Sequence, residues 1–363
     1  MTRNHRHHAA VGVLVSSLIA LSCGESGKPL KQGNERPHIT SALQTEAAGG
    51  IAYCYRLEFT DSDSPHHTVS YQSCPSWLTP RGDSACGTPP EGAVDTSFLA
   101  IVSDSLAADT VRVTVSINPT IVIYGDTRTD AETHRKITDL IMRRHPAAVF
   151  HTGDLVEDGT RESDWVTFRS IAAPLRAVAE FFPALGNHEK QSPLFFSEFD
   201  LPNNEQWYAV DRNQMRFIVL NSNAPADSWS AQFHWLDSTL SHPGDSTLFT
   251  ILIFHHPPYS SGGHREDEMG LRRTIVPLFR RHGVEAVFNG HDHDYERLRC
   301  DDIDYVVAGG GGAPLYDRGR QLDCSVKFLK TYHFCKLSRV YDRLTVGVYD
   351  LGDTLIDRFE VQK

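Results

Sequence analysis

The chain has 363 residues and a formal net charge of -11 at pH 7, from 35 Lys and Arg against 46 Asp and Glu. That length accommodates one large domain, or a large domain with a small companion, and 40% apolar content is enough for a core. An acidic surface disfavours a nucleic-acid backbone as partner, so no nucleic-acid binding is expected.

Residues 1–22 have the parts of an export signal: basic Arg3 and Arg6, an apolar stretch from Ala9 to Leu21, and small residues before Cys23. The segment is too short to span a bilayer. The ending "IALSC" (19–23) is similar to a bacterial lipoprotein cleavage box. It predicts a signal peptide of lipoprotein type, with Cys23 carrying a lipid anchor and the protein held at the cell envelope; periplasmic or secreted protein is the other reading. Residues 23–50 are polar and interrupted by Gly and Pro, and read as a flexible tether. Residues 51–118 contain "SFLAIVS" and "RVTVSIN" without helical patterns, which predicts a small β-rich module. Cys54, Cys74, Cys86, Cys300, Cys324 and Cys335 contain no C-x-x-C spacing, so disulfides are expected rather than thiolate metal sites. Three lie early and three late, so either one bond joins the two halves or two thiols stay free.

From Thr120 a pattern recurs: a short apolar run, a turn, then a metal-capable side chain. It appears as "TIVIYGD" (120–126), "AAVFHTGD" (147–154), "FFPALGNH" (181–188), "FTILIFHH" (249–256) and "VEAVFNGHDH" (284–293). Continuous apolar runs are the mark of buried strands. Functional groups of open α/β sheets collect beyond the carboxyl ends of such strands. Helices are predicted over Asp130–Arg144, about Ser163–Phe181, Ser228–Leu240 and Asp267–His282. Residues 206–223 read as two strands around Asp211–Asn213, and the C-terminal residues as a meander. The fold class is therefore α/β, with residues 119–363 as one domain carrying added antiparallel strands.

The strand ends deliver Asp126, Asp154, Asn187, His188, His255, His291 and His293. Carboxylate, amide and imidazole without thiolate suit divalent or trivalent Fe, Mn or Zn. One bridging carboxylate can hold two ions about 4 Å apart, the spacing used in phosphoryl displacement.

Taken in order, "GDTR" (125–128), "GDLV" (153–156), "GNHE" (186–189), "LIFH" (252–255) and "GHDH" (290–293) resemble the calcineurin-like metallophosphoesterase superfamily, and among its members the purple acid phosphatases. "HHPPYSSGGH" (255–264) and "YVVAGGGGAPLY" (305–316) add to the likeness. The resemblance implies a four-layer α/β/β/α sandwich and two metal ions. Asp126 and His293 would hold the first ion, Asp154 would bridge, and Asn187, His255 and His291 would complete the second. His188 would stabilise the transition state or protonate the leaving oxygen, and His264 would contact phosphate or donate a proton. The implied activity is hydrolysis of phosphate monoesters by metal-bound hydroxide, on a small phosphate-ester substrate. A phosphodiesterase acting on cyclic nucleotides or phospholipid headgroups is the alternative, and a non-catalytic metal-stabilised surface lipoprotein is a third.

The sequence departs from the family at two positions. Arg128 stands where many members have a ligand histidine, and it cannot ligate a cation. It is expected either to fork onto a substrate phosphate or to pair with a carboxylate. Glu157 stands where purple acid phosphatases have a ligand tyrosine. His256 and His151 read as supporting or packing residues, and Gly309–Gly312 as a tight turn near the site.

Overall fold

The structure, a computed structural model, describes residues 33–361. The signal-peptide reading, Cys23 and the first part of the expected tether lie outside these residues.

Two sheets pack face to face. One has six strands in the order Glu180–Pro183, Pro146–His151, Thr120–Tyr124, His333–Val340, Arg343–Asp350 and Leu355–Val361. Its first three are mutually parallel and the C-terminal meander adds antiparallel strands. The other has seven, in the order Tyr208–Arg212, Met215–Val219, Phe249–Ile253, Ala286–Asn289, Ile303–Ala308, Tyr295–Cys300 and Ser325–Leu329. Strand residues point alternately to opposite faces, and both faces of these sheets are covered. In Thr120–Tyr124, Ile121 and Ile123 enter the inter-sheet core with Phe150, Phe217, Ile251 and Phe288. Val122 and Tyr124 face the opposite way, against Ile137 and Ile141 of the helix Ala131–Met142 and Leu175 of the helix Glu162–Arg176. On the far side, Leu236 and Leu240 of the helix Ala231–Ser241 and Leu278 and Phe279 of the helix Val276–His282 cover Ile218, Leu252 and Val287. The result is a four-layer α/β/β/α sandwich.

Some element boundaries differ from expectation. The second helix ends at Arg176, because Glu180–Pro183 is captured as a parallel strand by Pro146–His151. The helix expected over Asp267–His282 begins only after Gly270, which is in the left-handed region at φ 67°, and it divides into Leu271–Thr274 and Val276–His282. A short helix, Pro193–Glu198, was not anticipated, although Ser192 and Pro193 carry the N-cap and first-turn signals.

The expected tether is corrected over its second half. Gln44–Ala48 is a strand parallel to Ala108–Asn118, with Ala47 and Ala48 buried, and His38–Ile39 pairs with Phe59–Thr60. These residues belong to the β module, whose four-stranded sheet (Gln44–Ala48, Ala108–Asn118, Thr96–Ser103, Thr68–Gln72) and three-stranded sheet (Tyr53–Arg56, Ser84–Gly87, Leu78–Arg81) enclose Tyr55, Ala85, Phe98, Val113 and Val115. Cys54–Cys86 and Cys300–Cys324 are disulfides, each within its own half, and Cys74 and Cys335 are free. Lys336 and Arg339 on the central sheet reach back to the module: Lys336 donates to the Gly49 carbonyl and pairs with Glu91, and Arg339 pairs with Glu46 at 3.0 Å.

Candidate metal centre

The ends of five strands meet at one edge of the sandwich. The first sheet brings Asp126, Asp154, Asn187 and His188; the second brings His255, His291 and His293. Asp126, Asp154 and His291 sit in the left-handed region, at φ 57°, 58° and 71°, which turns each side chain back over the strand ends. Close packing there requires glycine: a Cβ on Gly186 would lie 2.1 Å from Asp154 Oδ1, and one on Gly290 2.3 Å from Asp126 Oδ2.

One cluster of donor atoms consists of His255 Nε2, His291 Nδ1 and Asn187 Oδ1, separated by 2.9–3.2 Å, with Asp154 Oδ1 3.4 Å from His255 Nε2. A second groups Asp126, Asp154 and His293, whose ligand atoms lie within 4.8 Å of one another. Asp154 therefore faces both. The ring nitrogens turned away from the clusters have partners: His255 Nδ1 lies 3.1 Å from the Thr152 carbonyl, and His293 Nδ1 2.8 Å from the Pro314 carbonyl. Donating there leaves each Nε2 lone pair directed inward, as a metal ligand needs.

The electrostatics call for cations. Burial and the Asp154 charge push the Asp126 carboxyl well above its usual range, and burial likewise raises Asp154 against the opposing pull of His188 and Arg128. Burial holds His255 well below the usual imidazole range, His291 at about 3 and His293 at about 4, so all three are neutral ligands at neutral pH. Close carboxylates facing uncharged imidazoles at ligand spacing fit bound divalent or trivalent cations.

Arg128 borders the second cluster. Its Nε is 3.4 Å from Asp154 Oδ2 and its Nη2 3.5 Å from His293 Nε2, while Nη1 pairs with Glu157 at 2.9 Å. The ion-pair expectation is thus met, and Glu157 is turned to Arg128 and Thr129 rather than toward the metal-ligand atoms. Burial raises the Glu157 carboxyl, but hydrogen bonds from Thr129 and Arg128 outweigh it and hold it below its usual range. His188 lies at the rim, its Nδ1 2.6 Å from the Glu157 carbonyl and its Nε2 3.9 Å from Asp154. His264 is brought to the site from its loop: its ring stacks on His291 at 3.8 Å between centroids.

Two contributors were not assigned from sequence, and a third, His256, was given a lesser part. Glu189, fully buried, accepts from the backbone N–H groups of Asp154, Leu155 and Gly186 at 2.7–2.9 Å, tying two ligand loops together. Its place in "GNHE" was its signal. Asp292 accepts from His264 Nδ1 at 3.0 Å and from Ser260 Oγ at 2.5 Å. His256 was read as supporting or packing, yet its ligand atom groups with those of His255 and His291, while its Nδ1 lies 2.8 Å from Ser222 Oγ. His151 does pack, against Tyr124 and Thr127.

A two-sheet sandwich with histidines, aspartates and an asparagine gathered at its strand ends defines a metallophosphoesterase fold and site. Residues 119–295 match the family model for calcineurin-like phosphoesterases. The chain is 31% identical over 186 residues to purple acid phosphatase 18 of Arabidopsis thaliana, covering 44% of this chain and 42% of that protein. It is 26% identical over 213 residues to a nucleotide pyrophosphatase/phosphodiesterase of Hordeum vulgare, covering 46% and 58%. The chain thus spans about half the length of these relatives. In fold it is similar to a purple acid phosphatase from yellow lupin (Lupinus luteus) seeds, with a TM-score of 0.62 at 16% identity over 85% of this chain and 68% of that one. Purple acid phosphatase-like metallophosphoesterases use two metal ions, and the two donor clusters match that number.

Proposed function

We propose that the chain is an exported metal-dependent phosphoesterase that hydrolyses phosphate monoesters at a dinuclear centre. The observation that carries the reading is the convergence of His255 Nε2, His291 Nδ1 and Asn187 Oδ1 within 3.2 Å, beside an Asp154 shared with Asp126 and His293. Asp126 and His293 would hold one ion and Asn187, His255 and His291 the other, with Asp154 between. When bound, the ions supply Lewis acidity and an acidified water.

The remaining steps fall to the chain's own residues. Arg128, oriented by Glu157, offers its guanidinium to the phosphoryl oxygens and opposes the charge that develops on them. A water oxygen bonds to phosphorus as the bond to the ester oxygen breaks. His188 or His264 delivers a proton to that leaving oxygen; Asp292 fixes the ring of His264 for this.

The test is hydrolysis of a matched chromogenic monoester and diester by the metal-loaded protein and by Asp154→Asn, with metal content measured beside turnover. Monoester preference, lost in the variant by about a thousandfold or more with reduced metal content, is expected. Diester preference would transfer the reading to a phosphodiesterase, an activity named for the barley relative. Silence on both substrates with metal bound would leave the metal a structural role. Export rests on the leader of residues 1–22 and on two disulfides, which persist in oxidising compartments. Lipid attachment at Cys23 predicts fatty-acid labelling that Cys23→Ser abolishes.

A further inference from the structure

A cavity of about 530 Å³ is lined in part by Arg128, which also borders the candidate ligands Asp154 and His293. Two loops contribute to both sites. The loop after Thr120–Tyr124 carries Asp126 into the candidate ligand cluster and Thr127, Arg128 and Thr129 along the cavity; the loop after Pro146–His151 carries Asp154 into that cluster and Leu155, Val156 and Glu157 along the cavity. Arg128 belongs to both walls.

The cavity's interior has a definite chemistry. Leu155, Val156, Phe168 and Ile171 are at most 4% exposed and give it an apolar floor. Beside Phe168 lies His134, stacked at 5.9 Å with rings 25° apart, 2% exposed, and with its Nε2 buried and without a hydrogen-bond partner. At the mouth, Arg161, Asp164 and Thr167 come from the start of the helix Glu162–Arg176. Volumes of this size, mostly apolar with a few placed polar groups, suit a small organic molecule.

We infer that this cavity is the subsite for the leaving group, and that it selects phosphate esters whose alcohol carries an aromatic or heteroaromatic ring. With the phosphoryl group at Arg128, the ring lies over Leu155, Val156 and Ile171 beside the His134–Phe168 pair. Aromatic rings stack at such distances with a gain beyond their buried area. The inference rests on the phosphoesterase reading for the placement of the phosphoryl group, and deepens it by naming the class of alcohol.

The test uses binding, so that it is read independently of turnover. Metal-loaded protein is titrated calorimetrically with non-hydrolysable naphthalene-1-phosphonate, with methylphosphonate, and with the phosphonate analogue of a nucleoside 5′-phosphate. The ring-bearing ligands are expected to bind roughly tenfold or more tightly than methylphosphonate, from the apolar area they bury. Which of the two binds tighter distinguishes a bare aryl alcohol from a nucleoside. Ala131→Phe and Thr167→Phe fill the cavity from opposite helices, at positions that are half-buried and exposed respectively, and each is checked for fold by circular dichroism. Each is expected to erase most of the ring preference; if one fails to fold, the other decides. Equal affinity for all three ligands, no binding of any, or a ring preference that survives filling overturns the proposal. A ring preference found in a protein that proves unable to hydrolyse esters would overturn the phosphoesterase reading and leave the aromatic subsite standing.

Discussion

Asp292 stands between two metal-facing histidines, yet its carboxylate turns away from them, accepting from the backbone N–H and Nδ1 of His264 and from Ser260 Oγ. Burial alone would raise its pKa, but the hydrogen bonds from His264 and Ser260 draw it down to about 2, so it is a fixed anion at working pH. Its effect is to hold one tautomer and one orientation of His264. Asp292→Ala is therefore expected to lower kcat by about 10- to 100-fold with KM little changed and metal content intact. A loss of metal in proportion to activity would instead make Asp292 a structural support of its neighbours. The candidate ligands were legible in the sequence because each lies just beyond a continuous apolar run, a local signal. Asp292 was not: its partner His264 lies 28 residues away in the chain, and only the folded loops bring them together; Glu189 had a local signal in "GNHE", but its tie to Asp154, 35 residues away, had none.

At the scale of the element, the helix Ala131–Met142 was predicted from its acidic start, and Asp130 caps it by accepting from Glu132 and Thr133 N–H. Its inner face carries a histidine as well as aliphatics. Burial holds His134 at about 3. Because that is below the unfolded value near 6.5, the unfolded chain binds a proton between about pH 6.5 and about pH 3 that the folded chain does not, so stability falls as pH falls through that window. Urea unfolding at about pH 7 and about pH 5 should show this loss, and His134→Gln should reduce it by up to about 2 kcal/mol. An unchanged slope in the variant would assign the acid sensitivity elsewhere. The helix Glu162–Arg176 was legible at its start and not at its end: "FF" at 181–182 extends a helical pattern on paper, while the parallel ladder with Pro146–His151 claims those residues for the sheet.

Across the whole molecule, the β module and the sandwich are joined through residues that composition alone assigned to a tether. "QTEAA" has few β-branched or aromatic residues, so nothing local marks it as a strand; its pairing with Ala108–Asn118, more than sixty residues on, makes it one. That strand supplies Glu46 to Arg339, whose side chain is only 3% exposed and also reaches Asn118 and Asn213. Two truncations separate the readings. A chain beginning at Gly33 retains Ile39, Ala47, Ala48 and Glu46; one beginning at Ile51 loses four buried or ion-paired groups and exposes the edge of Ala108–Asn118. The shorter chain is expected to be less stable by about 3 kcal/mol or more, from lost apolar burial and an acceptor withdrawn from a buried guanidinium. Denaturant midpoints of the two chains measure the difference. Equal midpoints would return residues 38–50 to the role of a spacer, and would mean that Arg339 is adequately held by Asn118 and Asn213 without the module's first sheet strand.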